Sequence, residues 1–443
     1  MIFEKKYIEY AKIYFNSNSF FMDYKVFGCK TNKYFAEKWL AHSYLNGKKG
    51  YFIASCVVTD KAKNKWLKYA LKIIPTLGKN EHLYLSGCGN IRNGVVDPKF
   101  YQIYSELEKY QEKIKILPED PSDFVMTKEE RIKQMKTKVR SLKKLNVKSL
   151  FTRKYMVIQT GCDNFCTFCL TVQARGRHRW RPADEIIEEI NEFVTSGGKE
   201  VVFTGINLGA WGAKSSNDFT DSRIVELIEA VLEKTTLERL RISSLGVEFL
   251  DDRLIALFGE DRINPYPHLS IQSASSSVLE AMNRHYDGEK VREVLQKLRH
   301  LKRHDGAILN IGADIIVGFP GESDEDYQES LQLVKDFQIS SLHAFPFSPH
   351  IDHYSVPAGK FANQVPNHLS QRRVKEIIAA GEQAKQALFE QSTGKKLTVL
   401  VEKARKDKFS GWTQNYIAAN EKNFLPDAGQ EIKKGKCIHG ILI

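Results

Sequence analysis

The chain has 443 residues, 42% apolar and 27% charged, with 66 Lys and Arg against 54 Asp and Glu and a formal net charge of +12. That length is too great for one ordinary core and calls for two or three domains, and the charge surplus points to a polyanionic partner, nucleic acid first. No apolar run approaches the ~18 residues needed to span a bilayer, and Glu4, Lys5, Lys6, Glu9 and Lys12 rule out a signal-peptide core, so a cytoplasmic protein with no membrane partner is expected. In that compartment the seven cysteines favour metal or catalytic use over disulfides.

Residues 1–18 carry no assignment. Apolar runs at Phe20–Phe27, Tyr51–Ala54 and His82–Leu85 predict strands, each followed by a turn and a helical pattern. Asn32 reads as the start signal of a helix over Lys33–Leu45 that Gly47 stops, and Thr59-Asp60 as that of a helix over Lys61–Ile74. Cys29, Cys56 and Cys88 each fall just past the carboxyl end of one of these strands. If βαβ crossovers make the strands parallel, the three thiols share one edge of an open α/β sheet, the edge at which such sheets bind ligands. Core cysteines would instead fall inside strands or on helix faces. The sharper reading is an iron–sulfur cluster held by three thiolates, with one iron open. Phe100–Ile114 reads as an amphipathic helix and Pro118–Pro121 as a break. The basic run Lys128–Lys154 is either a solvated linker or a phosphate contact.

From residue 151 onward strands and helices alternate regularly. Strands are predicted at Tyr155–Gln159, Glu200–Thr204, Arg239–Ser243, His268–Gln272, Asn310–Ile316 and Ser341–Phe345. Helices between them are predicted at Asp184–Ser196, Ser222–Lys234, Asp251–Phe258, Ser276–Asn283 with Gly288–Lys302, and Asp324–Phe337. Six βα units imply a barrel-like parallel sheet with its active site on the carboxyl face. The first strand runs into Cys162, Cys166 and Cys169, a Cys-x3-Cys-x2-Cys loop. A four-iron cluster takes four thiolates, so three leave one iron open to a substrate or cofactor. Zinc, with His178 as the nearby fourth ligand, and disulfides are the competing readings.

Arg175, Arg177, His178, Arg179 and Arg181 form a basic arc beside that loop, suited to a carboxylate or an RNA phosphate, or else a solvated loop. Thr204, Gly205, Asn207, Ser270, Gln272 and Asp314 stand at strand ends, where they either line a cofactor pocket or serve ordinary turn chemistry. After a helix from Gln371 to about Gln391, strands at Leu397–Glu402, Ser410–Asn420 and Ile438–Ile443 predict a small β-barrel. It is basic, with Lys395, Lys396, Lys403, Arg405, Lys406, Lys408, Lys422, Lys433, Lys434 and Lys436 against five acids. With Trp412 and Tyr416 expected to be exposed, it suits RNA; a structural appendage is the alternative. Cys437, inside the last strand, reads as a packed thiol.

These features together resemble the radical SAM (S-adenosylmethionine) methylthiotransferase family. The carriers are Gly28-Cys29-Lys30-Thr31-Asn32, Cys56-Val57-Val58-Thr59, Ser86-Gly87-Cys88, the Cys162 loop with Ala174-Arg175-Gly176-Arg177, Val202–Asn207, His268–Ser273, Asp314–Glu322 and Phe345–Pro349. The resemblance runs from about residue 22 to the end. It implies an α/β class: an N-terminal open α/β methylthiotransferase domain over 19–127 after the extension 1–18, a basic linker over 128–150, a partial (β/α)6 radical SAM barrel over 151–390, and a small all-β TRAM RNA-binding barrel over 391–443. It implies two [4Fe-4S] clusters, one on Cys29, Cys56 and Cys88 and one on Cys162, Cys166 and Cys169, with SAM bound near Thr204, Gly205, Asn207, Ser270, Gln272 and Asp314. RNA contacts are expected at Arg175, Arg177, Arg179, Lys395, Lys396 and Trp412. Radical chemistry replaces an acid–base pair, because no side-chain base removes an unactivated aromatic C–H proton.

The residues around the first two cysteines look like the group within this family that methylthiolates C2 of N6-threonylcarbamoyladenosine at position 37 of tRNA. They resemble less the groups acting on isopentenyladenosine or on a ribosomal-protein aspartate. Implied partners are the tRNA anticodon loop, a one-electron donor of flavodoxin or ferredoxin type, and a sulfur donor. A non-catalytic iron–sulfur RNA-binding protein is the rival reading, against which an open iron argues. Gly89-Asn90, Val172-Gln173 and Ala274 depart from the family's usual residues.

Overall fold

The computed structural model describes residues 22–121, 151–350 and 355–443, apart from Asn46 and Asp407. The expected extension 1–18 and basic linker 128–150 lie outside the described residues. The described residues form two compact units, one of 22–121, 151, 170–177 and 350, the other of 152–169, 178–349 and 355–443.

The first unit is built on β1 (Asp23–Val26), β2 (Gly50–Ser55), β3 (His82–Gly87), a short hairpin of β4 (Ile91–Arg92) and β5 (Val95–Val96), and β6 (Ile114–Ile116). The sheet runs β1-β2-β3-β6 and all its pairings are parallel. Its inner strands β2 and β3 are buried at every residue after the first because helices cover both faces. Phe52 and Tyr84 pack with Trp39, Ala36 and Leu40 of the helix Lys30–Ala41. Ile53, Leu83 and Leu85, pointing the other way, pack with Trp66 and Ala70 of the helix Asp60–Ile73. Thr59 caps that helix as expected, accepting from the Ala62 amide.

Two expectations fail here. Asn32 does not start a helix; Cys29 is the N-cap, and Asn32 is buried in the first turn. Its amide donates to the carbonyls of Phe27 (2.8 Å) and Ser55 (2.6 Å), so it ties two strand ends together. The single helix over Phe100–Ile114 is also absent. Short helices Phe100–Ile103 and Ser105–Glu108 are separated by Tyr104 at φ −121°, ψ 62°, and Ile114 starts an edge strand on β3. The amphipathic spacing was real, but pairing with the sheet outweighs it.

In the second unit, β7 (Lys154–Val157) leads to β8 (Gln159–Thr160), which pairs with β9 (Arg179–Trp180). Then come β10 (Glu200–Thr204), β11 (Arg239–Ile242), β12 (His268–Gln272), β13 (Gly312–Val317) and β14 (Ser341–Pro346). β7, β10 and β11 form one parallel sheet and β12, β13 and β14 another, joined by a parallel bridge between Leu245 and Leu269. The result is the expected six-stranded partial barrel, with helices such as Ala183–Thr195, Ile224–Lys234 and Gly288–His300 packed outside on Val201, Phe203, Leu269, Ala313 and Ile315. Each fully buried Val, Leu, Ile or Phe contributes about 1.5–3 kcal/mol.

At the amino edge of these strands, fully buried Glu200 meets Arg153 (2.7 Å), Arg239 (2.9 Å) and Arg241 (3.0 Å). Burial alone would raise its pKa, yet the three guanidinium groups hold it far below the usual carboxylate range.

The long helix Asn367–Ser392 leads into β15 (Lys396–Arg405), β16 (Lys408–Thr413), β17 (Ala418–Asn420), β18 (Phe424–Pro426) and β19 (Cys437–Leu442), an antiparallel sheet in the order β17-β16-β15-β19-β18. The strand expected over Ser410–Asn420 is two strands, because Tyr416 takes a left-handed φ of 65° and turns the chain. β17 and β18 remain as edges, so the element is a half-barrel. It is fastened to the barrel by Arg153 on Glu402 (2.6 Å) and by Asn310 on the Asn415 carbonyl (2.8 Å).

Candidate functional site

In the first unit Cys56 and Cys88 directly follow the carboxyl ends of β2 and β3 and Cys29 lies three residues past the end of β1, so parallel pairing brings residues 27 and 32 positions apart to one edge. Cys56 and Cys88 are buried and Cys29 is exposed. Burial pushes the Cys56 thiol up to about 12, and neighbouring Cys29 and Cys88 push the same way. Cys88 is pushed up to about 11, mainly by burial. Gly28, at φ +88°, lets the chain pass close to the Cys56 side chain: a Cβ there would lie 2.6 Å from the Cys56 sulfur. Gly89-Asn90 braces the third turn. Asn90 donates to the carbonyls of Leu85 and Leu117, Ser55 Oγ donates to Asn90 Oδ1 (2.7 Å), and Gly89 N donates to Ser55 Oγ (2.9 Å). Three thiols at one sheet edge are the donor set that a cluster with one open iron takes.

Arg175 belongs to this edge. It is fully buried in the helix Thr171–Arg175, and its Nε donates to the Cys88 sulfur at 3.2 Å. Nη1 pairs with Glu119, and Nη2 donates to Asn32 Oδ1 at 2.9 Å. The expected RNA contact at Arg175 is therefore corrected: with every guanidinium nitrogen facing protein, nothing is left for a phosphate. Sequence reasoning missed Glu119 and the amide role of Asn32. Both fall where the sequence shows only a turn or a cap.

In the second unit the Cys162–Cys169 loop leaves β8 with Gly161 at φ +72° and Phe165 at φ +50°, which turn it sharply. Cys162 and Cys166 are buried and Cys169 half-buried. Gln159, buried behind the loop, donates to the Gly161 carbonyl (2.6 Å) and accepts from the amides of Ile206 (2.9 Å) and Asn207 (2.8 Å). That bond set places Thr204, Gly205 and Asn207 against the start of the loop. Gly205 is needed there, since a Cβ would lie 2.9 Å from Gln159 Oε1. Ser216 Oγ accepts from the Asp163 amide and lies 3.7 Å from the Cys162 sulfur. Arg284, 9% exposed, donates to the Cys166 sulfur (3.4 Å), pairs with Glu248 (3.6 Å), and is held by Tyr286 and the Ser270 carbonyl. Burial pushes the Cys162 thiol up as well.

His178, the candidate fourth zinc ligand, instead has Nδ1 on Gln159 (2.9 Å) and Nε2 on the Ala213 carbonyl (3.1 Å), so neither ring nitrogen turns to the cysteines. That disfavours zinc.

The other pocket candidates form a second group. Asp314 Oδ1 receives both His268 Nε2 (3.0 Å) and His343 Nδ1 (3.1 Å), and Oδ2 receives Ser244, whose hydroxyl also meets Ser270 at 2.5 Å. Burial would raise the Asp314 pKa, but the two histidines hold it far below the carboxylate range. His343 and Phe345 alternate on one exposed face of β14, in register with Asp314 and Ile316, so this polar centre faces an open side of the sheet. Gln272 stands at the end of β12 with a left-handed φ of 69° and is buried. Ser244 and His343 were not singled out in the sequence, because isolated Ser and His carry no local signal.

Among the expected RNA contacts, Arg177, Arg179, Lys395 and Lys396 are exposed. Trp412 is not the open platform expected. Its ring stacks on Tyr416 at 4.4 Å and its Nε1 donates to Glu402, while Tyr416 lies over Arg241 at 4.5 Å and against Tyr266. The pair covers the buried Glu200 cluster, and that use outweighs exposure to solvent. Cys437 opens β19, half-buried, and is paired in register with Leu400.

Comparison with known proteins matches residues 156–334 to the radical SAM superfamily. Threonylcarbamoyladenosine tRNA methylthiotransferase MtaB of Thermotoga maritima is 31% identical over 418 residues, 89% of each chain. The protein of that name from Rickettsia prowazekii is 28% identical over 90% of this chain and 89% of its own. A tRNA-2-methylthio-N(6)-dimethylallyladenosine synthase from Clostridium botulinum is 34% identical over 63% of this chain and 59% of its own. Similarity sustained over most of the length places this chain in the radical SAM methylthiotransferase family, and it is an enzyme of that class.

Proposed function

We propose that the protein methylthiolates C2 of N6-threonylcarbamoyladenosine at position 37 of tRNA. In this reading Cys29, Cys56 and Cys88 hold one [4Fe-4S] cluster and Cys162, Cys166 and Cys169 another. When bound, these groups and SAM supply the electron, the radical, the methyl group and the sulfur that the reaction requires. The chain's own residues do the rest. Gln159 and Ser216 fix the backbone of the cysteine loop at Gly161 and Asp163. Arg284 and Arg175 each place a buried cation against one cysteine sulfur, favouring its thiolate form. The Ser244, Ser270, Asp314, His343 group offers hydroxyl and imidazole contacts to a polar adenosyl or nucleoside guest.

The observation that carries the reading is the edge holding Cys29, Cys56 and Cys88, which a simple radical generator does not need. Exposed Lys395, Lys396, Arg177 and Arg179 and the basic half-barrel support tRNA as substrate and a TRAM-like role for residues 391–443. No described helix is long and apolar enough to cross a membrane, which is compatible with a cytoplasmic enzyme served by a flavodoxin- or ferredoxin-type electron donor and a separate sulfur donor.

Mass spectrometry of tRNA nucleosides from cells with and without the gene tests this. Loss of 2-methylthio-N6-threonylcarbamoyladenosine alone is expected. Loss of the isopentenyl analogue would move the assignment to the other tRNA branch, which the similarity to the dimethylallyladenosine synthases keeps in view. An unchanged tRNA profile would sink the tRNA reading altogether.

A further inference from the structure

We infer that Arg175 is a positioning residue for the Cys29, Cys56, Cys88 site, and that its hydrogen bond to Cys88 sets the reduction potential of the cluster held there. The inference rests on the reading of that triad as a second cluster site. Arg175 lies six positions after Cys169 in the chain, yet its side chain is built into the first unit with no exposed surface. Its three nitrogens take three different partners: Nε the Cys88 sulfur at 3.2 Å, Nη1 Glu119, and Nη2 Asn32 Oδ1 at 2.9 Å. The guanidinium also lies over the Phe35 ring, 5.6 Å from its centroid. A planar fork with each arm occupied fixes the direction of the Nε–H bond in a way an ammonium could not.

The same network reaches the other two strand ends. Asn32, held by Arg175, donates to the carbonyls of Phe27 and Ser55, which lie two residues before Cys29 and one before Cys56. A fully buried arginine costs several kcal/mol unless it is paired. Glu119, itself 2% exposed, supplies the opposite charge, so a bland reading remains: an ion pair that merely seats the helix Thr171–Arg175 on the sheet. That reading gives no reason for Nε–H to point at a ligand sulfur. Hydrogen bonds to cluster sulfurs and the net charge around them set the potential, because both stabilise the more negative reduced state. Arg175 therefore raises the potential, and Glu119, by offsetting its charge, holds that rise in check.

The test uses the full chain with Cys162, Cys166 and Cys169 all replaced by Ala, reconstituted anaerobically with iron and sulfide, so that the signal comes from the remaining triad. Iron content and a dithionite titration followed by electron paramagnetic resonance are read. Arg175→Gln is expected to keep its iron with a midpoint shifted negative. Arg175→Lys should shift less in the same direction, keeping the charge but losing the fork. Glu119→Gln should shift positive. An unchanged midpoint in iron-loaded Arg175→Gln, or shifts of the same sign in Arg175→Gln and Glu119→Gln, overturns the inference and leaves a structural ion pair. If Arg175→Gln fails to hold iron, Glu119→Gln decides: a positive shift supports the inference and any other result overturns it. A parent chain that binds no iron defeats the second-cluster reading and the inference together, whereas iron with unmoved potentials defeats the inference alone.

Discussion

The two cysteine triads solve one problem by opposite routes. Cys162, Cys166 and Cys169 come from a single loop, bent by left-handed residues 161 and 165 and held from behind by Gln159. Cys29, Cys56 and Cys88 come one from each of three strand ends, so the site exists only once the parallel sheet has formed. Yet each triad has the same accessory, a buried arginine donating to one sulfur and paired with a carboxylate: Arg284 with Cys166 and Glu248, Arg175 with Cys88 and Glu119. The arginines differ in how firmly they are held. Arg175 has no exposed surface and directs each arm at a separate partner, whereas Arg284 sits 3.6 Å from its carboxylate and leans on Tyr286 and a carbonyl. A site scattered along the chain needs a rigid brace; a site on one loop carries much of its own geometry.

The largest expected effect separates the two triads by chemistry. Cys56→Ala is expected to abolish methylthiolation while leaving SAM cleavage to 5′-deoxyadenosine measurable by chromatography, and Cys166→Ala to abolish both. Equal loss of both activities in the two variants would erase the division of labour.

The next concerns how each unit braces its sheet. At its strand ends the first ties carbonyls with the amides of Asn32 and Asn90; at its amino edge the second buries the charged Glu200 among Arg153, Arg239 and Arg241. Glu200→Gln leaves three buried guanidinium groups without their carboxylate and is expected to cost about 3–5 kcal/mol in urea denaturation. Because the folded pKa of Glu200 lies below its ordinary 4.5, its contribution is full above that pH and is lost as pH falls further. The variant should therefore show a smaller loss of stability on acidification than the parent. A cost below about 1 kcal/mol would mean the arginines are satisfied without it.

Smaller and more selective are the two amides. Asn32→Ala and Gln159→Ala each remove several buried hydrogen bonds, at about 1–3 kcal/mol. Asn32→Ala should lower iron retention in a chain lacking the 162–169 thiols. Gln159→Ala should do so in a chain lacking Cys29, Cys56 and Cys88. Crossed effects would contradict the independence of the two sites.

The gentlest test is pH. The thiols of Cys56 and Cys88 are pushed up to about 12 and about 11 from an ordinary 9.0. Groups raised in this way favour the metal-free fold below pH 9, and that contribution fades as pH climbs toward the folded values. Metal-free protein should thus lose stability between pH 9 and 11, by less in Cys56→Ala than in the parent. Iron loading at fixed metal should release protons and strengthen over the same range.

Much of this was legible without coordinates. The Cys-x3-Cys-x2-Cys spacing, the strand–helix alternation from residue 151 and the position of each early cysteine after an apolar run are short-range signals, and local pattern decides them. The readings that failed did so where a side chain serves a distant partner. Asn32 looks like a cap and is a tie between strand ends; Arg175 looks like a surface cation and is buried against the Cys88 sulfur; Trp412 looks like a base-stacking platform and covers an ion cluster. The helix expected over Phe100–Ile114 failed for the same reason, since the Ile114 strand finds its partner in β3.

The sequence by itself determined which residues could carry the chemistry: two sets of three thiols, each too few to close a cluster, and a basic carboxyl-terminal element. Only the tertiary structure decided what stands behind them. Burial and pairing depend on which segments meet, and Arg175 lies 56 positions along the chain from Glu119 and 143 from Asn32. Sequence spacing holds no information on such a meeting until the parallel sheet, driven by its two apolar faces, brings the strand ends together.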